Sequence, residues 1–198
     1  MKRIHITFMS LAIIAIISCK NDAKKVEDED EVIVEEVVEK VVEEVKQLRK
    51  EINFALEPKS DSDAAGKVSI SDKDGVVTLE ASLYGLDAGT HAIHIHEKAD
   101  CSSADGKSTG GHWNPTFEAH GKWGAEGGYH KGDIGNFEVG EDGYGKVIFT
   151  TDEWCIGCGD EKKDILGKAI IVHQGTDDFK SQPSGAAGAR VSCGGIIE

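Results

Sequence analysis

The chain has 198 residues, enough for one ordinary domain with an appendage and too few for two of full size. Its formal charge of -14 combines a basic start, 1–25, with five basic residues and one acidic, an acidic middle segment, 26–51, with eleven acidic and four basic residues, and the rest, 52–198, with twenty-four against thirteen. Nucleic-acid binding needs lysine and arginine to displace phosphate counterions, so the charge balance excludes it.

Residues 1–18 begin with Lys2 and Arg3 and continue as an apolar run to Ser18. A charged start before a short apolar stretch is the pattern of a secretory signal peptide, and the run falls short of the roughly 20 residues a permanent membrane span needs. Ile16-Ile17-Ser18-Cys19 resembles a bacterial lipobox. That pattern implies cleavage before Cys19, lipidation of its thiol, and an exported protein anchored to the membrane of the cell envelope through Cys19. Lys20 stands where an inner-membrane retention signal would have Asp, which favours the outer membrane and leaves its periplasmic or surface face open. Export places the other thiols in an oxidising compartment, where Cys101, Cys155, Cys158 and Cys193 have three pairings open to them.

Residues 19–51 read as the lipidated cysteine followed by an acidic stalk, helical or disordered. Val34, Val38, Val41, Val45, Leu48 and Ile52 step by alternating fours and threes, the heptad seam of an amphipathic or coiled-coil helix. The intervening glutamates and valine's middling helix propensity suit a solvated spacer instead.

A single domain is expected over 52–198, where the period changes from helical to alternating. Val77, Leu79, Ala81 and Leu83 alternate with Thr78, Glu80 and Ser82, so one face of a strand is buried and the other wet. Turn signals such as Asp74-Gly75, Tyr84-Gly85 and Asp142-Gly143 cut the rest into short segments. Strands are predicted near 53–57, 66–72, 76–84, 90–96, 134–139, 144–150, 168–173 and 189–193. Eight short strands without a long helix give an all-β antiparallel sandwich or barrel. Two stretches, 97–133 and 174–188, carry no regular pattern, and loops that long inside a compact domain are usually functional.

Six of the eight histidines fall within 91–133. His94 and His96 are two apart in an alternating segment, so both project from one face while Ile93 and Ile95 point to the other. His91 falls on the face opposite His94 and His96 and is expected to be a structural, hydrogen-bonded residue. His112, His120, His130 and Asp133 follow in the first irregular stretch, and His173 ends the apolar run KAIIVH. A lone pair of histidines is as often structural as ligating, but five further donors change that weighing. Six histidines and an aspartate are too many for one first-row ion, so two metals are the simpler assignment. An all-imidazole set suits copper, and a set with a carboxylate suits tetrahedral zinc. Spacing alone does not say which histidine serves which ion.

The segments GTHAIHIHE, GGHWNPT, GDIGN, IIVHQGTDD and GAAGARVSCGGII resemble, in order and with similar gaps, the signatures of the copper/zinc superoxide dismutases. The resemblance covers roughly residues 52–198. It implies an eight-stranded antiparallel Greek-key barrel or sandwich with two long functional loops, and an enzyme acting on superoxide. The reaction implied is disproportionation to dioxygen and hydrogen peroxide, with copper cycling between Cu(II) and Cu(I) beside a structural zinc.

The same resemblance implies copper ligands His94, His96, His112 and His173, and zinc ligands His112, His120, His130 and Asp133, with His112 bridging both ions and exchanging a proton. Asp177 matches the aspartate that links His94 to His120, and Arg190 matches the arginine beside the copper channel. Cys101 and Cys193 match the family disulfide. Cys155-x-x-Cys158 has no counterpart in the pattern; it lacks the βαβ context of a redox motif and the partners of a zinc site, so a local disulfide is favoured. The family's dimer differs between branches, which leaves a homodimer open and its interface unassigned. The competing reading is a non-catalytic copper/zinc storage or delivery module on the same fold; loss of His112, Asp133 or Arg190 would favour it, and all three are present.

Overall fold

The computed structural model describes residues 49–198, so the expected signal peptide, Cys19 and the seam from Val34 to Leu48 lie outside the described residues. The strands are β1 Arg49–Pro58, β2 Ala65–Lys73, β3 Val76–Tyr84, β4 Gly89–His96, β5 Gly135–Val139, β6 Gly145–Thr151, β7 Ala169–His173 and β8 Arg190–Gly195. They close into an antiparallel barrel in the order β1-β2-β3-β6-β5-β4-β7-β8, and β8 returns to β1 through Glu57↔Cys193. Neighbouring β4, β5 and β6 with β3 beside β6 make the Greek-key arrangement. Among the described residues no helix is long and apolar enough to cross a membrane.

Local chemistry explains the pairing. Lys73 and Val76 face each other across Asp74-Gly75, both with positive φ, and Asp72 Oδ1 accepts from the Gly75 amide at 3.2 Å. A two-residue Asp-Gly loop has the twist that antiparallel strands require. In β3 the expected alternation holds: Val77, Leu79, Ala81 and Leu83 are buried, and they join Ile70, Ile93, Ile95, Ile170 and Val172 in one core. Each such side chain removed from water contributes about 1.5–3 kcal/mol.

One residue of the heptad seam is corrected. Ile52 belongs to β1, pairs with Ile70 and is 7% exposed, so its apolar side chain serves the barrel rather than a helix. The alternation continues through Phe54 and Leu56, and pairing from Arg49↔Lys73 starts the strand ahead of the expected residue 53. Ile52 fits both periods, and eight paired residues on β2 decide between them.

β4 and β7 are buried on both faces at their site-proximal ends, unlike β3. Their inward faces meet the core, while their outward faces lie beneath two irregular stretches, 97–134 and 174–189. These are the loops foreseen from the aperiodic sequence, and they contain only one short 3-10 turn, Lys107–Thr109. The Cys101–Cys193 disulfide fastens the first of them to β8. A third loop, 152–168, holds the Cys155–Cys158 disulfide. Both pairings match the expectation from sequence.

Candidate metal centre

The site is built where the end of β4 meets the two covering loops. His94 and His96 stand on the outer face of β4, opposite Ile93 and Ile95 in the core. At the end of β7 a bulge between Val172 and His173 shifts the register and sets His173 across from Arg190. The first loop returns alongside β4: His112 bridges to His96, and the Trp113 amide donates to the Ile95 carbonyl at 2.8 Å. Gly132 then slots between them, its amide on the Trp113 carbonyl and its carbonyl on the Ile95 amide. A Cβ there would run into the Ile95 carbonyl, so only glycine lets His130 and Asp133 approach the strand this closely.

The seven donors form two groups sharing one residue: His94, His96, His112 and His173, and His112, His120, His130 and Asp133, all buried. His94 is 0% exposed and Asp133 0%. Hydrogen bonds fix most of the rings. His94 Nε2 donates to Asp177 Oδ2 at 2.8 Å, His96 Nδ1 to the Gly110 carbonyl at 3.0 Å, and His120 Nε2 to Asp177 Oδ1 at 2.9 Å. An acceptor on one ring nitrogen keeps the proton there and leaves the other nitrogen's lone pair free. Those other nitrogens, His94 Nδ1, His96 Nε2 and His120 Nδ1, are buried without a hydrogen-bond partner, as are His112 Nε2, His130 Nδ1 and His173 Nε2. Buried polar atoms rarely go unsatisfied, and six of them grouped around two points fit two metal ions.

The zinc-side geometry supports the same reading. His120 Nδ1 lies 3.0 Å from Asp133 Oδ2 and His130 Nδ1 lies 3.3 Å from Asp133 Oδ1, yet neither nitrogen has a hydrogen-bond partner. The atoms are side by side without pointing at one another. Ligands at 2.0–2.1 Å from a tetrahedral ion stand roughly 3.3 Å apart, so these edges are of the right size. His112 Nδ1 is 2.8 Å from Asp133 Oδ1 on this side, and its Nε2 belongs to the other group.

Without metal the cluster is an electrostatic compromise. Burial favours neutral Asp133, but the bonds from the His112 ring and the His130 amide, with the His120 and His130 rings close by, outweigh it and hold the carboxyl far below the usual range. Burial also opposes charge on His120, yet the Asp133 and Asp177 carboxylates on its two nitrogens raise it to about 9. Burial dominates at His112 and lowers it to about 4, and burial also holds His96 and His173 well below the usual histidine value, assisted by neighbouring histidines. The ring between two carboxylates therefore takes the proton, and His96, His112 and His173 stay neutral, the state that ligates.

Around the donors, three residues set the frame. Asp177, 1% exposed, connects the two groups through His94 and His120, and it also accepts from the Phe179 amide at 2.7 Å. Gly185 has φ +66, and a Cβ there would run into the Asp177 carboxylate. Gln182, which no motif or spacing singles out, holds the His120 backbone with both ends of its amide: Oε1 accepts from His120 N at 2.9 Å and Nε2 donates to His120 O at 2.9 Å. Arg190 is half-buried; its Nη1 donates to Gly106 O at 2.9 Å and Thr109 Oγ1 at 3.0 Å. His96, His112, His173 and Arg190 share the wall of a cavity of about 550 Å³, and Lys107 also lines it. His91 is absent from both groups; its nitrogens lie 3.0 Å from the His173 carbonyl and 2.9 Å from the Asp87 carbonyl, the bonded structural role expected of it.

Comparison with known proteins agrees with this geometry. The family model described as copper/zinc superoxide dismutase (SODC) matches residues 64–196. A copper-zinc superoxide dismutase of Caulobacter vibrioides is 36% identical over 146 residues, covering 72% of this chain and 83% of that protein. The superoxide dismutase-like protein YojM of Bacillus subtilis is 36% identical over 139 residues, covering 68% and 70%. The crystal structure of a SOD-like protein from Bacillus subtilis superposes with a TM-score of 0.65 at 33% identity, covering 73% of this chain and 97% of that one. With its barrel, its paired donor groups and these matches, the chain belongs to the copper/zinc superoxide dismutase family, whose metals are copper and zinc.

Proposed function

We propose that this chain disproportionates superoxide to dioxygen and hydrogen peroxide in the cell envelope, anchored through lipidated Cys19. The observation that carries the reading is the pair of four-donor groups that share His112 and face a cavity walled by Arg190. His94, His96, His112 and His173 would hold copper, which supplies a one-electron couple, and His112, His120, His130 and Asp133 would hold zinc, which fixes the shared imidazole.

The chain's own residues supply the rest. Arg190 keeps its charge at any working pH, and its remaining N–H donors are free to meet a small anion at the cavity wall. The overall charge of -14 opposes capture, but a Debye length of about 8 Å screens distant carboxylates more than it screens Arg190 at the site. His112 lines the cavity, its Nδ1 faces Asp133 and its Nε2 has no partner, so Nε2 can take a proton in one half of the cycle and deliver it to peroxide in the other. Asp177 and the Gly110 carbonyl hold His94 and His96 in the ligating tautomer throughout.

Bound copper and zinc measured with superoxide consumption, on the chain and on a His112→Ala variant, test this. Two metals with rapid consumption that His112→Ala abolishes are expected; full metal loading without consumption would reject it. The likeness to a superoxide dismutase-like protein favours a second reading, a non-catalytic copper/zinc module, and that outcome would establish it. For the envelope, the Ile16–Cys19 pattern supports lipidation, and Cys19→Ser is expected to move the protein from the membrane to the soluble fraction.

A further inference from the structure

The Cys155–Cys158 disulfide takes no part in the site above, yet the two residues before it grip one of the site's ligands. Trp154, 1% exposed, donates its indole Nε1 to the Lys131 carbonyl at 2.8 Å. Glu153 accepts from the Tyr129 hydroxyl at 2.7 Å and pairs with the Lys131 ammonium. Tyr129 and Lys131 flank His130 on either side, so the segment carrying that zinc-side donor is held from the third loop.

The two disulfides of the domain differ in what they do for the fold. Cys101–Cys193 spans 92 residues and Cys193 is 0% exposed. Cys155–Cys158 spans 3, Cys158 is exposed and Cys155 only half-buried. In the chain-entropy model a bridge contributes more the longer the loop it closes, so the first matters far more to the fold than the second. The small loop also has a scaffold of its own: the Asp164 carboxylate accepts from the amides of Gly157 at 2.9 Å, Gly159 at 2.9 Å and Leu166 at 3.1 Å, and Ile156 is 1% exposed. Its far end therefore stays in place when the sulfur bond opens. Cys155 would then be held by its amide on Lys163 O at 2.8 Å and its carbonyl on Ile165 N at 3.1 Å. Opening the sulfur bond removes the cross-link that ties Cys155, and Trp154 before it, to that scaffold, and leaves these two backbone hydrogen bonds in its place.

We propose that Cys155–Cys158 is a thiol–disulfide exchange site for a partner dithiol, and that its oxidised state keeps Glu153 and Trp154 on the His130 segment and so slows loss of the zinc-side metal. The inference rests on the metal reading above. A thiolate of the partner attacks the exposed Cys158 sulfur, the Cys155–Cys158 bond breaks with its electron pair on Cys155, and a mixed disulfide forms. The partner's second thiolate then attacks its own sulfur in that disulfide and releases Cys158 as thiolate. The partner ends as a disulfide, and the chain gains two electrons and takes up two protons.

The test uses dithiothreitol as the dithiol on zinc-loaded protein, removed anaerobically before a chromogenic chelator is added. Alkylation and mass mapping are expected to find Cys155 and Cys158 reduced while Cys101–Cys193 is intact, with zinc released about tenfold faster than from the oxidised chain. Cys155→Ser/Cys158→Ser should release at the fast rate without reductant, and Trp154→Phe, which keeps the ring and loses the Lys131 bond, should release fast in both redox states. Equal release rates for oxidised, reduced and double-serine protein would overturn the coupling, as would reduction of Cys101–Cys193 first. Oxidised protein that holds no zinc at all would overturn the metal reading itself.

Discussion

Replacing Asp177 with Asn tests what ties the two donor groups together. Its carboxylate accepts three bonds, Oδ2 from His94 Nε2 at 2.8 Å and Oδ1 from His120 Nε2 at 2.9 Å and the Phe179 amide at 2.7 Å. Asparagine keeps the shape but turns one oxygen into a donor, and the close approach of Gly185 leaves the amide little room to turn away. Whichever way it sits, one histidine faces donor with donor. That ring can relieve the conflict only by moving its proton to Nδ1, the atom that must be bare to hold a metal. A buried donor left unpaired costs about 1–3 kcal/mol, and removing such a partner from a metal-bound histidine lowers affinity by about 10–100-fold. Competition against chelators for zinc and for copper, with denaturation of the metal-free protein as the control for folding, reads the effect. Asp177→Asn that binds both metals like the parent chain would refute the argument.

Three further outcomes follow from the same geometry. Arg190→Glu should lower the second-order rate with superoxide about tenfold or more and invert its dependence on salt; unchanged kinetics in stopped flow would remove Arg190 from substrate guidance. Cys101→Ser/Cys193→Ser should destabilise the domain by on the order of 4 kcal/mol in urea, because a loop spanning 92 residues is released. Metal-free protein should lose stability as pH falls from about 6.5, the ordinary histidine value, toward the folded value of about 4 at His112, since the unfolded chain binds protons there and the buried ring does not. His96 and His173 act in the same direction, whereas His120, raised to about 9, contributes stability that is lost as pH rises from about 6.5 through about 9. Urea denaturation at pH 5 and 6.5 checks the sign, and a flat profile would contradict it.

The parts legible in the sequence were those with a period or a local rule. Alternation located β3, the Asp74-Gly75 pair located its hairpin, and the spacing of His94 and His96 put both rings on one face of β4. Ile52 was misplaced because it satisfies a helical and an alternating period at once, and only pairing with Ile70 separates them. Assignment of donors to groups came from the family resemblance, since loops without a period do not reveal where their side chains meet. Gln182 on the His120 backbone, 62 residues away, and Trp154 on Lys131, 23 away, were invisible for the same reason.

Those invisible contacts decide how the centre is held. Three donors, His94, His96 and His173, ride on strands, and the other four hang from the first loop, where a site is positioned less precisely than on a rigid element. The loop has to be fixed from outside, and it is fixed at separate points: Cys101 to β8, the His120 ring to Asp177, the His120 backbone to Gln182, and the His130 flanks to Glu153 and Trp154. Apart from the Cys101 tie, which also stabilises the fold, a core of 0% exposed Ile and Leu side chains on the strands does not depend on these points. Release of Asp177, Gln182 or Trp154 should therefore show first in metal retention, while the barrel continues to fold around the same buried face.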